Sequence, residues 1–491
     1  MSLGRQIRRG VFWVALASVS TRVLGLVTRL VLAVLLTRED FGLVAGANLY
    51  VDALQLLREA GFGSALIYFK GRDRREEAQA EHTAFWFVLG MAVILYGLTW
   101  WIAPLAVYFA RDPNPLIAPV LRVLGLNLII GAFARVPMVR LTKELDFRRR
   151  AVPDVVPNLV HVAVSLPLAA LGWGVWSLVF GRLAGTTSMV VLAWWITGWR
   201  PRWVFVPRLA RELFAYGKHI VGSQLLILGI TNVDDLFVIR LLGWAPEGVY
   251  DNAYRLSNLP ATQITSVVNQ VMFPALAKIR EDVRLFRHMY FQALAYVSLL
   301  AVPVAGGTLL FAPDVVALIG MAKWRDMIAP MRWLAIYGFL RALAANMGNV
   351  YRGGGRPQYL TYIAVWRLST MVALLYPAIM WGGIVGVSVL SAAVAVVDFV
   401  ISAVLADRIL GAGWRPYKDA LLPTLGPGVL VTGVTWGVLE GWAIPPGIAR
   451  LAGAGGVYVV LYAGIVWMVW PELRARVSAW HQVLRSGMKV R

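Results

Sequence analysis

The 491-residue sequence contains no cysteine and only five histidines. The absence of cysteine excludes disulfides, thiolate metal sites and cysteine nucleophiles. The histidines show no H-E-x-x-H spacing or other ligand cluster, so the sequence predicts neither a metal nor a cofactor site. Charged residues are also scarce, at 15% of the chain, whereas a soluble domain averages about 25%. These scarcities argue against a soluble protein.

Apolar residues are abundant instead. They make up 59% of the chain, the mean hydropathy is +0.66, and 21 tryptophans and 17 tyrosines suit the two membrane interfaces. A helix needs about 20 apolar residues to cross a bilayer. By that rule the sequence predicts an all-α integral membrane protein with about fourteen transmembrane helices, near 11–36, 41–69, 83–104, 116–139, 152–171, 175–197, 213–241, 248–275, 289–311, 328–350, 359–380, 383–407, 421–440 and 449–470.

The basic residues predict the orientation of these spans. With a cytoplasmic N-terminus, about 30 Lys and Arg residues fall in cytoplasmic loops and about six in outer loops. Both termini are therefore predicted to be cytoplasmic. The net charge of +21 would suggest nucleic-acid binding in a soluble protein, but here it follows membrane topology, so no nucleic acid is expected. Arg5, Arg8 and Arg9 precede an apolar segment of roughly full spanning length, and no A-x-A cleavage site directly follows that segment, so it is interpreted as the first span.

The tetrapeptide GWRP occurs twice, at Gly198–Pro201 and at Gly413–Pro416, each time just after an even-numbered predicted span. The flanking spans also match, and their alignment places Gly42 over Gly248. The chain is therefore predicted to contain two parallel six-helix repeats, lobes 1–212 and 213–418, followed by a terminal helix pair and tail over 419–491. Parallel repeats are typical of transporters with a binding site between the halves.

Four segments carry a family resemblance: FGLVAGANLYVDALQLLREAGFGSALI, PMVRLTKELDFRRRA, GVYDNAYRLSNLP and GGGRPQYL. With the two-lobe layout, they resemble the polysaccharide transporter (O-antigen flippase) family of the MOP exporter superfamily. The resemblance implies that undecaprenyl-diphosphate-linked oligosaccharide moves from the cytoplasmic to the outer leaflet of a bacterial or archaeal cytoplasmic membrane. No cofactor is expected, and the expected partners are the membrane lipids, a polysaccharide polymerase and glycosyltransferases.

Charged residues inside spans are costly and normally face a cavity or a partner. Arg22, Arg58 and Arg255 come from helices that face the inter-lobe space in the superfamily, and they are the candidates for binding the substrate diphosphate. A planar guanidinium pairs with phosphate oxygens through two hydrogen bonds. The alternative is structural: Arg58 and Glu59 would satisfy partners locally, and Arg255 would extend to the outer interface.

Asp234 and Asp235 in the seventh span are candidates for a site that binds H⁺ or Na⁺ and couples it to transport. Adjacent residues lie about 100° apart on a helix, so at most one would face a given cavity. The alternative is neutralisation by a neighbouring arginine such as Arg29. Sugar hydroxyls would bind polar residues of the eighth span, unless these only satisfy helix contacts; the candidates are Asn252, Asn258, Gln263 and Asn269.

Two other functions remain open at this stage. One is a lipid II or multidrug exporter with the same fold. The other is a membrane-embedded polymerase or glycosyltransferase, which would need a sizeable loop with catalytic carboxylates. The longest predicted outer loops, near 105–115 and 312–327, hold only Asp112, Asp314 and Asp326. The sequence therefore favours a transporter over an enzyme.

Overall fold

A computed structural model describes residues 24–144, 147–258, 282–356, 358–442 and 444–474. Every regular element in these ranges is helical, which confirms the predicted all-α class for them. The chain divides into two compact units, Met1–Asp251 and Asn252–Arg491. The predicted lobe boundaries at residues 212 and 418 stay a prediction.

The first unit is built from long helices with one short interruption after α2. Its helices are α1 Leu24–Leu35, α2 Arg38–Glu59, α3 Phe62–Tyr68, α4 Arg74–Ala106, α5 Ile117–Lys143, α6 Phe147–Ala170, α7 Val175–Thr197 and α8 Pro207–Leu242. The next helix, α9 Trp244–Ser257, carries the boundary between the units.

The second unit continues in the same style. Its helices are α10 Val283–Ile319, α11 Met321–Trp324, α12 Ile328–Gly353, α13 Gln358–Leu410, α14 Arg415–Gly441 and α15 Ile448–Val469, with a 3₁₀ turn at Arg325–Met327. Helix α13 has 53 residues, but Gly382 and Gly383 are non-helical, so it comprises two helices joined by a turn. These two helices correspond to the predicted spans 359–380 and 383–407.

Eight helices in the described part of the chain are long and apolar enough to cross a membrane: α4, α5, Arg149–Ala170 of α6, α7, α10, α13, α14 and α15. The chain is therefore a multi-pass membrane protein. The other predicted spans also fall largely on helices where they are described. The count of fourteen stays a prediction.

Helix α2 has a defined start and a defined end. The helix begins at a capping box, in which Thr37 Oγ1 accepts a hydrogen bond from the Asp40 N–H and Asp40 Oδ2 accepts one from the Thr37 N–H, at 3.1 and 2.9 Å. It ends where Ala60 and Gly61 take φ values of 43° and 71°. This left-handed pair stops the helix immediately after two charged residues.

Glycines with similar backbone angles lie at equivalent positions of the two sequence repeats. Gly174 precedes α7 with φ 51° and ψ −131°, and Gly383 inside α13 has φ 55° and ψ −135°. The glycines that open the two GWRP copies, Gly198 and Gly413, both have positive φ, 60° and 71°. A side chain is strained in these conformations, so the repeat retains glycine there.

Two further glycine pairs allow close helix crossings in the first unit. A Cβ on Gly42 would lie 1.7 Å from the Trp244 carbonyl oxygen, and one on Gly248 would lie 2.9 Å from the Gly42 nitrogen. Helices α2 and α9 therefore cross at the two glycines that the repeat aligns. At the other end of α2, a Cβ on Gly61 would lie 2.3 Å from Gly217 Cα in α8.

The terminal helices α14 and α15 are integral to the second unit. The hydroxyls of Ser298 in α10 and Thr424 in α14 are 2.7 Å apart, and Tyr462 in α15 donates to the Leu299 carbonyl at 3.2 Å. The sequence placed Asp314 in an outer loop, but it is a fully buried residue of α10. Arg450 lies 3.0 Å from its carboxylate. These contacts brace the terminal pair against α10.

Candidate functional site

Four arginines line a cavity of about 460 Å³ in the first unit. We call it the arginine cavity, and helices α2, α3, α5, α6 and α7 enclose it. Its charged and hydrogen-bonding side chains are Gln55, Arg58, Glu59, Ser64, Asn127, Arg135, Thr142, Arg150, Arg182 and Thr186. A cavity with several cations and a single lining carboxylate is suited to an anionic ligand.

Arg58 is held by the backbone of α5. Its side chain enters from the last turn of α2, and the residue is only 3% exposed. Nη1 donates to the Leu128 carbonyl at 2.8 Å and Nη2 to Glu59 Oε1 at 3.3 Å. A Cβ on Gly131 would lie 2.9 Å from Nη1, so the glycine leaves the guanidinium its space. The structure thus brings Arg58 into a cavity, while its Nε–H has no hydrogen-bond partner among the described residues.

Arg135 is a site residue that the sequence reasoning missed. It lies in α5 and pairs with Glu59 Oε2 at 2.7 Å. A Cβ on Gly63 would lie 2.0 Å from its Nη2, so a second glycine makes room for a second guanidinium. The isolated arginine in the apolar run GAFARVP was the available signal. Arg58 and Arg135 share the single carboxylate of Glu59, which leaves a local excess of one positive charge.

The other two arginines of the cavity are neutralised. Arg182 in α7 pairs with Asp52 at 2.6 Å and also donates to the Asn48 amide oxygen. Arg150 in α6 lies 3.5 Å from Asp154 and donates to Thr142 Oγ1 at 2.9 Å. The excess charge of the cavity therefore resides at Arg58 and Arg135.

The structure places the remaining predicted cations and carboxylates as follows. Arg255 is exposed on α9, and Arg22 lies outside the described residues. Asp234 is 6% exposed and accepts a hydrogen bond from the Tyr250 hydroxyl at 2.6 Å, whereas Asp235 is only partly buried. Arg29, the suggested neutralising partner, forms an ion pair with Asp251 at 2.5 Å.

Two of the four predicted sugar-binding residues lie in the described part of the chain. Asn252 and Asn258 are both buried, at 2% and 4% exposed. Gln263 and Asn269 lie outside the described residues. Sugar binding at these four positions stays a prediction.

Comparisons with known proteins agree with the fold and the predicted family. The sequence model of a family described as polysaccharide biosynthesis protein matches residues 31–329, more than half of the chain. The lipopolysaccharide biosynthesis protein WzxC of Escherichia coli (strain K12) is 23% identical over 444 residues, covering 87% of each chain. The succinoglycan biosynthesis transport protein ExoT of Rhizobium meliloti (strain 1021) is 26% identical over 378 residues, covering 76% of this chain and 75% of that protein.

Two solved structures resemble this chain in fold. The lipid II flippase MurJ in an inward closed conformation has a TM-score of 0.73 at 13% identity, covering 94% of this chain and 99% of that one. An inward-facing multidrug resistance MATE transporter of the MOP superfamily has a TM-score of 0.63 at 17% identity, covering 81% and 99%. At these identities the likeness concerns the fold alone.

Proposed function

Because this chain belongs to the polysaccharide biosynthesis protein family, we propose that it is a flippase for lipid-linked oligosaccharide. It moves the oligosaccharide, attached to an isoprenyl diphosphate, from the cytoplasmic to the outer leaflet of a prokaryotic cytoplasmic membrane. Its termini are cytoplasmic. Glycosyltransferases supply the substrate and a polymerase consumes it. The chain acts as a transporter and not as an enzyme.

The observation that carries this proposal is the arginine cavity. A diphosphate bears charges whose transfer into hydrocarbon without compensation is prohibitive. The guanidinium groups of Arg58 and Arg135 replace part of the lost hydration with fixed, charge-assisted donors. Because both share one carboxylate, their pairing with Glu59 leaves positive charge available for a phosphate group.

Transport then follows from alternating exposure of the bound headgroup to the two membrane surfaces. The isoprenyl tail stays in the lipid, so only the diphosphate and the sugars need a polar path. Arg22 and Arg255 are further diphosphate ligands in this proposal, and Asn252, Asn258, Gln263 and Asn269 are sugar ligands. None of these steps requires a covalent intermediate or a cofactor.

Energy coupling is assigned in this proposal to Asp234 or Asp235. Asp234 is the better candidate, because it is buried and accepts the Tyr250 hydroxyl at 2.6 Å. A buried carboxylate is stabilised when it binds a proton or a cation. Binding of H⁺ or Na⁺ at Asp234 would thereby bias the protein toward one of its conformations.

Export in cells that lack their own flippase tests the function. We expect this chain to restore surface polysaccharide, the Arg58→Ala and Arg135→Ala variants to restore much less, and Arg75→Ala to match the wild type. Arg75 is an exposed arginine at the start of α4 and serves as the matched control. Equal protein amounts in the membrane are verified by immunoblot.

The same strains distinguish a lipid II exporter. A lipid II flippase would rescue cells depleted of their own lipid II flippase, and we expect no such rescue. Rescue of lipid II export without polysaccharide export would overturn the proposed substrate, although the transporter fold would stand.

A further inference from the structure

Arg341 lies at the centre of α12, far from either helix end in sequence. Its Nη1 donates to the hydroxyl oxygens of Tyr254 and Tyr337, each at 2.8 Å. Tyr337 precedes it by one helical turn, and its ring centroid is 5.7 Å from the guanidinium carbon. All three residues belong to the second unit.

Close contact between α9 and α12 places these side chains together. Ser257 Oγ donates to the Met331 carbonyl at 3.0 Å. A Cβ on Gly338 would lie 2.7 Å from the Ser257 carbonyl oxygen, so glycine permits the approach. As a result the rings of Tyr254 and Tyr337 are 5.9 Å apart with planes inclined by 42°.

The charge of Arg341 is not compensated by any carboxylate in the described residues, where it forms no ion pair. The remaining stretches of the sequence contain only two acidic residues, Asp146 and Glu281, both in predicted cytoplasmic loops. Helix α12 coincides with the predicted span 328–350, and an arginine in the middle of a membrane span is costly and normally has a functional partner. An anion supplied by a ligand would provide that partner.

The geometry specifies the type of anion. Because the tyrosines hold Nη1, the edge formed by Nε and Nη2 is left for a ligand, with no hydrogen-bond partner among the described residues. That edge matches the two oxygens of a carboxylate. The adjacent tyrosine faces attract the slightly positive C–H groups of a sugar ring. One guanidinium also balances one carboxylate charge.

We propose that Arg341, Tyr254 and Tyr337 bind an acidic sugar, a pyranose carrying a carboxylate, in the transported oligosaccharide. The inference rests on the proposed function and adds to it a substrate class. It separates two tasks: the arginine cavity of the first unit binds the diphosphate common to all such lipids, and the cluster at Arg341 selects the glycan.

Two matched substrates test the proposal. They are lipid-linked tetrasaccharides with the same diphosphate carrier, one containing glucuronate and the other glucose at the same position. In proteoliposomes we expect Arg341→Gln to lower the transport rate of the glucuronate substrate about tenfold and to leave the glucose substrate within about twofold. Arg352→Gln, at the exposed end of the same helix, should leave both rates unchanged.

A binding measurement tests the acidic-sugar site independently of transport. Purified wild-type protein is titrated with the free glucuronate tetrasaccharide and with its glucose counterpart. We expect tighter binding of the acidic glycan, lost in Arg341→Gln, partly retained in Arg341→Lys and weakened in Tyr254→Phe. Equal losses for both glycans, or no loss for either, would overturn the acidic-sugar site. If the wild type transports neither lipid, the flippase function fails, and the titration still decides the site.

Discussion

Gly174 and Gly383 have the same backbone conformation, with φ and ψ of 51° and −131° in one and 55° and −135° in the other. Each lies in the turn between two consecutive helices at the equivalent point of the sequence repeat. Few residues other than glycine adopt this region. The sequence repeat, which was inferred from GWRP, therefore includes a turn that requires glycine in both copies.

Substitution of either glycine should therefore have the same effect. We expect Gly174→Ala and Gly383→Ala each to lower the free energy of unfolding by about 1–3 kcal/mol, because the backbone is strained in both. Thermal unfolding of the detergent-solubilised protein measures this. Gly90→Ala is the control, since an added Cβ there meets nothing within 4 Å. An unchanged melting temperature in both variants would show that the turns tolerate a side chain.

The glycine beside Arg135 gives a second prediction. An added Cβ in Gly63→Ala would collide with the guanidinium, which lies 2.0 Å away. We expect displacement of Arg135 from Glu59 and a severalfold loss of export at normal protein levels. Gly97→Ala, where a Cβ meets nothing within 4 Å, is the matched control. Equal export by the two variants would argue against a role for the Arg135 position.

The crossing of α2 and α9 gives a third prediction. Gly42→Ala places a Cβ 1.7 Å from the Trp244 carbonyl oxygen, so the helices must separate. We expect a cysteine pair spanning this crossing, one cysteine on each helix, to cross-link more slowly in the Gly42→Ala background. The native chain has no cysteine that would interfere. Unchanged cross-linking would mean that the crossing is not closely packed in the membrane.

The buried ion pair of Asp314 and Arg450 gives a fourth prediction. Asp314 is fully buried, so Asp314→Asn leaves a buried cation without its carboxylate. Breaking such a pair costs about 3–5 kcal/mol, and we expect a large fall in melting temperature. The Asp314→Asn, Arg450→Gln double variant should recover part of this loss. If the double variant is no more stable than the single one, the unpaired charge is not the cause.

Much of the architecture could be predicted because it depends on local patterns. Apolar runs indicate spans, and a repeated glycine marks matching turns. Arg58 could be singled out because charged side chains within a predicted span are costly and normally face a cavity or a partner. Arg135 was missed because its significance depends on Glu59, a partner in another helix. Asp314 was placed in a loop because its partner, Arg450, is distant in sequence.

The role of the glycines at 63 and 131 could not be inferred from the sequence for the same reason. Each is one of 46 glycines, and nothing in its neighbourhood shows that a guanidinium will lie beside it. The requirement appears only when α2 and α5 are packed together. Side-chain chemistry could thus be located along the chain, but its pairing depends on helix packing.

The rate of headgroup movement in proteoliposomes tests the central claim most directly. Lipid-linked oligosaccharide is incorporated with the purified protein, and an impermeant glycosidase measures the fraction reaching the other leaflet. We expect the Arg58→Ala, Arg135→Ala double variant to be at least about tenfold slower than the wild type, and the double lysine variant to be intermediate. Arg75→Ala should match the wild type. A wild-type rate in the double alanine variant would contradict diphosphate binding in the arginine cavity.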